Sequence, residues 1–206
     1  VIAARTVRIG TPATEQLSLW KLGRHSAARL IGEALLRMGA RPSLARDFLA
    51  AAISTSSDDG EPSALLAVAL SRMEHFDGAQ EALARAREQS PQSPLVTLAT
   101  GEVNLLLARS TEPVDDARIE AARRAFRRAI ELDPTLPAPH VGLGRSFDED
   151  DSDVSEGIGA LERARELAAI DPEIGLRLAK AYIAAGRKRA ARAALLAVAR
   201  WATGTS

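Results

Sequence analysis

The chain has 206 residues, 46% hydrophobic and 26% charged, and its 27 basic residues balance 27 acidic ones. The apolar content excludes a disordered tail, and the charge balance leaves no overall field to draw the chain onto nucleic acid or an anionic membrane. The absence of cysteine removes disulfides, thiolate zinc sites and cysteine nucleophiles, and leaves the redox compartment open. No apolar run reaches the roughly 18 residues of a membrane span, so a soluble protein of the cytoplasm or periplasm is expected. Val1 stands where a start methionine would, with no leader pattern behind it, which reads as a processed product or an excised piece.

The apolar fraction is biased. Alanine supplies 41 residues and leucine 26, while aromatics make up 3%, so an almost entirely helical chain is expected. Prolines at Pro42, Pro62, Pro91, Pro94, Pro134, Pro137, Pro139 and Pro172 fall between or at the edges of stretches with helical apolar spacing, as punctuation. Arginine outnumbers lysine 24 to 3, which reflects a GC-rich, bacterial base composition rather than phosphate recognition.

In chain order, residues 1–24 open with the helix start Thr11-Pro12 and continue through Leu17, Leu19, Trp20 and Leu22, a short amphipathic cap over the first hairpin. Residues 25–59 carry Gly32, Leu35, Gly39, Phe48 and Ala51, and residues 60–93 carry Ala67, Leu70, Ala79, Leu83 and Ala86. Residues 94–136 have Gly101 and, after an excess of about nine residues around "RSTEPVDDARI", Ala122, Phe126 and Ala129. The excess predicts a longer turn or longer helices, with a fresh helix start between Glu112 and Asp115. Residues 137–171 carry Gly144, Phe147, Gly157, Leu161 and Ala164, followed by about three extra residues read as one more helical turn. Residues 172–206 carry Ala179, Tyr182, Gly186, Ala191 and Leu195. Their last helix sets Leu195, Val198 and Trp201 on one face with no capping helix behind, a face left for a partner or exposed by excision.

This pattern resembles the tetratricopeptide repeat family, whose unit of about 34 residues places small residues at positions 8, 20 and 27 and large ones at 4, 7, 11 and 24. The resemblance implies an all-α, right-handed superhelix, a solenoid of antiparallel helical hairpins with about five units over residues 25–206. The spacing has a mechanical reason: two helices approach closely only where one face lacks bulk, so the small residues mark crossings. Leu35, Leu70, Phe147 and Tyr182 then act as knobs, answered by Phe48, Leu83, Phe126, Leu161 and Leu195 on the second helices. Leu44 and Val198 depart from the pattern by standing where small residues belong.

Catalytic and metal patterns fail on inspection. Gly142-Leu143-Gly144-Arg145-Ser146 lacks a preceding strand and ends in Asp148 where a nucleophile elbow needs glycine, so it is read as a crossing. The acidic run Asp148 to Glu156 has Asp153 and Gly159 where a calcium loop needs glycine and glutamate, and reads as a solvated turn with Asp153 or Ser155 as cap. His25, His75 and His140 are too dispersed to share a metal; His140 falls at a packing position and His75 at a surface turn. Arg123, Arg124, Arg127 and Arg128 read as a solubilising stripe, without the aromatics that nucleic-acid stacking needs. No cofactor, metal, nucleic-acid partner or catalytic activity is expected.

In the family the first helices line a concave groove. Its positions here are Arg29, Glu33, Leu36 and Arg37; Ala64, Val68, Ser71 and Arg72; Leu98, Glu102, Leu105 and Leu106; Val141, Arg145 and Asp148; Leu176, Lys180 and Ile183. The apolar middle and charged edges imply a non-catalytic scaffold that holds a peptide or helix of a protein partner. Arg29, Glu33, Arg37, Val68, Arg72, Leu98, Glu102, Leu105, Arg145 and Lys180 are the expected contacts, although Leu98, Leu105 and Leu106 also fit packing between hairpins. Arg29, Glu33 and Val68 do not supply a carboxylate clamp for a chaperone tail. Two other readings fit the sequence: the substrate-presenting repeats of a larger enzyme, and a homo-oligomer built through terminal helices. From Arg177 onward there are seven basic residues and no acid, which suits an acidic partner.

Overall fold

A computed structural model describes residues 13–39, 41–55, 58–148 and 154–203, and the side chains of 13–22, 24 and 201 fall outside that description. Ten α-helices and no strands occur among the described residues. They are α1 (Ala13–Arg37), α2 (Pro42–Thr55), α3 (Glu61–Arg72), α4 (Phe76–Gln89), α5 (Pro94–Arg109), α6 (Asp116–Leu132), α7 (Pro137–Arg145), α8 (Ser155–Leu167), α9 (Pro172–Ala184) and α10 (Lys188–Thr203). The chain divides into two compact units, Val1–Ala99 and Thr100–Ser206, with the division inside α5.

In the first unit α1 pairs with α2 and α3 with α4, and α3 packs on the preceding hairpin. Helix α1 runs without a break across the expected boundary at residue 24. Residues 1–12 and the side chains of Leu17, Leu19, Trp20 and Leu22, assigned to a cap, lie outside the described residues. The second unit pairs α7 with α8 and α9 with α10, and α6 packs on α7 as α8 does on α9. Three hairpins turn through a left-handed residue, Gly39 at φ 64°, Glu74 at φ 62° and Gly186 at φ 70°. Glycine supplies that conformation without steric cost, whereas Glu74 holds it under strain of about 1–2 kcal/mol. Two of these turns share one bond, His75 N–H to the Leu70 carbonyl at 2.9 Å and Arg187 N–H to the Tyr182 carbonyl at 2.8 Å.

The helices touch where glycines remove bulk. A Cβ on Gly32 would lie 2.6 Å from Leu49, one on Gly144 would overlap Leu161, and one on either Gly101 or Gly142 would overlap the Phe126 ring. Phe126 is fully buried, held between a glycine of α5 and a glycine of α7. The answering residue on α2 is therefore Leu49 rather than Phe48, and Leu195 on α10 is exposed. Val198, large where the repeat pattern has a small residue, is accommodated by Gly175, at a position where the pattern has a large one. Leu44 likewise leaves the small-residue role to its buried neighbour Ala45.

The excess in the third hairpin goes into both helices and the turn: α5 has 16 residues and α6 has 17, joined by 110–115. Asp115 caps α6 by accepting from the Arg118 N–H at 3.1 Å. The extra turn expected on α8 is not formed. Helix α8 stops at Leu167, and Ala168–Asp171 make the connection, with the Asp171 carboxylate accepting the Glu173 N–H at 2.9 Å to start α9. Val154 precedes α8 without a side-chain cap, so Ser155 is not the cap, and Asp153 lies outside the described residues.

Gly142→Ala should lower the unfolding free energy by about 1–2 kcal/mol, overpacking against Phe126 outweighing the gain in helix propensity. Gly159→Ala, where nothing lies within 4 Å of the added methyl, should raise it by about 0.5–1 kcal/mol. Urea titration of both variants checks the opposite signs.

Candidate functional site

Within each unit the first helices carry charged side chains that pair with one another or with neighbouring residues. In the first unit Arg29 on α1 lies 3.3 Å from Glu33 and 3.3 Å from Glu61 on α3, and Arg37 reaches Glu33 at 2.8 Å. Ser93 donates its hydroxyl to Glu61 at 3.2 Å, and Arg72 donates to the Leu36 carbonyl at 2.6 Å. In the second unit Arg145 on α7 meets both carboxylate oxygens of Glu102 on α5, at 3.0 and 3.1 Å, and both side chains are mostly buried. Arg109 donates to the Arg145 carbonyl at 3.1 Å, and Lys180 on α9 lies 3.4 Å from Asp148.

Of the ten expected contact residues, Arg29, Glu33, Arg37, Arg72, Glu102, Arg145 and Lys180 belong to these pairs and bonds. Leu98 is half-buried. Val68 and Leu105 are corrections: both are buried, Leu105 completely, because branched apolar side chains at those places fill the space between neighbouring helices. Among the apolar residues at the groove positions, Leu176 and Ile183 are exposed, one helical stripe on α9 with Lys180 between them. Beside Lys180 a cavity of about 210 Å³ is lined by Gly144, Phe147, Asp148, Val154, Gly157, Ala181 and Ala184. Glu61, the partner of Arg29, was missing from the expected set, because charges about 30 residues apart leave no local spacing signal.

The arginine stripe on α6 divides. Arg124 and Arg128 are exposed, and Arg127 holds Glu156 with two bonds of 2.8 Å that push the Glu156 carboxyl below its ordinary range. Arg123 is instead buried, donating to the Ser146 hydroxyl at 3.3 Å and the Ser146 carbonyl at 2.9 Å, with its guanidinium 3.8 Å above the Phe147 ring. It fastens α6 to the end of α7.

His25 is buried, with Nδ1 donating to the Ala52 carbonyl at 2.9 Å and Nε2 3.1 Å from Asp59. His75 is exposed at the start of α4. His140 is buried at its packing position, and Nε2 has no hydrogen-bond partner. Burial lowers its pKa against a hydrogen bond to the Pro134 carbonyl, and nearby Arg163 adds to the lowering. Among the described residues no group of three or more His, Asp or Glu side chains is placed to hold a metal ion. No helix among them is long and apolar enough to cross a membrane.

An all-α stack of hairpins that presents a face of paired charges and open aliphatic side chains defines a helical-repeat protein. The sequence profile of the tetratricopeptide repeat matches residues 35–100 and 150–206, and the chain belongs to that family. Solved structures agree on the fold. A tetratricopeptide protein of Thermus thermophilus, TTC0263, is 21% identical with a TM-score of 0.68, covering 87% of this chain and 97% of its own. PilF of Pseudomonas aeruginosa is 18% identical, TM-score 0.63, covering 88% and 78%. MamA from Desulfovibrio magneticus RS-1, residues 41 to the end, is 17% identical, TM-score 0.60, covering 89% and 97%. A comparison with curated proteins gives no sequence match.

Two measurements test this site. Replacing Glu102 by Gln and Arg145 by Met, singly and together, should give a coupling of about 1–2 kcal/mol in a double-mutant cycle, between the values of exposed and buried pairs. For His140 the folded pKa lies below the unfolded value near 6.5, so its contribution is present above that pH and is lost as pH falls through the folded value. His140→Leu should therefore flatten the loss of Tm below about pH 6.5.

Proposed function

We propose that the chain is a non-catalytic scaffold that holds a peptide or helix of a protein partner along the first helices. The observation that carries this reading is the pairing of Leu176 and Ile183, both open to solvent on one stripe of α9, with the adjacent Glu102–Arg145 and Asp148–Lys180 pairs. Aliphatic anchors supply the desolvation energy, and flanking charges set direction and register. Within the first unit Arg29, Glu33, Arg37 and Arg72 form a charged edge of its own, and Leu98 is a half-buried apolar residue of that unit. Membership of a repeat family whose units stack to present extended surfaces supports it.

Affinity capture with the intact chain beside the variant Leu176→Glu/Ile183→Glu tests the reading. Partners should be lost from the variant while its helical circular dichroism stays unchanged, since both side chains are exposed. An identical set of captured partners would move the contact off this face.

A further inference from the structure

We propose that the chain associates head to tail with a second copy of itself, the open face of α10 in one protomer closing over the open face of α1 in the next. This rests on the outer faces of the terminal hairpins and stands apart from the groove reading.

The second unit builds the same junction twice. A large residue on a second helix follows a buried alanine and is covered by the first helix of the next hairpin. Phe126, after Ala125 on α6, is 0% exposed with Gly142 of α7 against it, and Leu161, after Ala160 on α8, is 2% exposed in a core with Leu178 and Tyr182 of α9. Leu195 follows buried Ala194 at the same place on α10, yet is 42% exposed, with Leu196 beside it at 48%. The other half of the junction is the apolar residue just before each crossing position. Leu143 before Gly144 is 5% exposed and Leu178 before Ala179 is 0%. Ile31 before Gly32 on α1 is 43% exposed, with Leu30 at 55%, and it lines an open groove of about 500 Å³ with Ala27, Ala28, Phe48 and Ala51.

Among the described residues, one copy of each half of this junction is thus unmatched, while the second unit completes the junction internally. A second copy supplies the missing half at either end, and the internal α6–α7 and α8–α9 contacts give the register. Such an interface is heterologous: in any dimer one face of each kind stays free. The chemistry of the contact is aliphatic, Leu195 and Leu196 against Leu30 and Ile31.

Sedimentation equilibrium of the full chain should give a mass that rises with concentration above 21.9 kDa. The variants Leu195→Glu/Leu196→Glu and Leu30→Glu/Ile31→Glu should each be monomeric with unchanged helicity. An equimolar mixture of the two should form a 1:1 dimer that does not grow further, because it retains one intact pair of faces. A wild-type chain that stays monomeric to several hundred micromolar overturns the proposal, and is the result expected if a foreign acidic helix covers the basic rim of α10. Wild-type oligomers that survive both sets of substitutions, or variants that fail to pair on mixing, overturn it equally.

Discussion

The contact on which this architecture depends is the seating of one large side chain on a missing one. Phe126 lies against Gly101 on one side and Gly142 on the other, so a single ring fixes the separation of α6 from α5 and from α7. A helix pair sits about 8–10 Å apart according to the bulk at its crossing, and glycine at the crossing places it at the near end. Leu49 on Gly32 and Leu161 on Gly144 repeat the arrangement. The Val198–Gly175 contact shows that the constraint acts on the pair rather than on either position. A large residue at a place reserved for a small one is tolerated once its neighbour gives up its side chain.

That constraint is local, so it was legible in the sequence. Glycines and alanines at a fixed distance from bulky residues marked the crossings at Gly32, Gly101 and Gly144, and proline placed the helix starts at α7 and α9. What misled was register after a turn. Phe48 was read as core, but one residue of turn rotates the following helix by about 100°, and the buried residue is Leu49; Leu195 keeps the place that Phe126 and Leu161 hold on their helices and is nevertheless exposed. Arg123 misled differently. Its spacing with Arg127 resembles a solvated stripe, yet it lies at the edge of the buried face, where the Ser146 carbonyl and the Phe147 ring compensate a desolvated guanidinium.

The candidate site was only partly legible, because a sequence shows which charges fall on the first helices but not how they are satisfied. Arg29 and Glu61 are 32 residues apart and Glu102 and Arg145 are 43 apart, separations at which no helical spacing rule operates. The fold brings each pair onto adjacent first helices. Val68 and Leu105 were lost from the site for a related reason: the first helix of an inner hairpin has neighbours on more than one side, so part of an apparent groove stripe is core.

In the proposed scaffold this pairing would decide how the face recognises a ligand. A side chain already engaged, as Arg145 is with both oxygens of Glu102, gains little by exchanging one carboxylate for another, because the new bond replaces an equal one and leaves Glu102 uncompensated. Unspecific attraction of acidic or basic peptides to these residues is therefore weak. Net binding energy has to come from apolar surface that is exposed before contact and buried after it, and on the first helices of the second unit that surface is concentrated at Leu176 and Ile183. The paired charges of the proposed scaffold would act instead by exclusion. A ligand that presents an unmatched charge to Glu102–Arg145 or Asp148–Lys180 would meet a desolvation cost without a free partner, so in the proposed scaffold selectivity would reside in the charged rim and affinity in the aliphatic stripe.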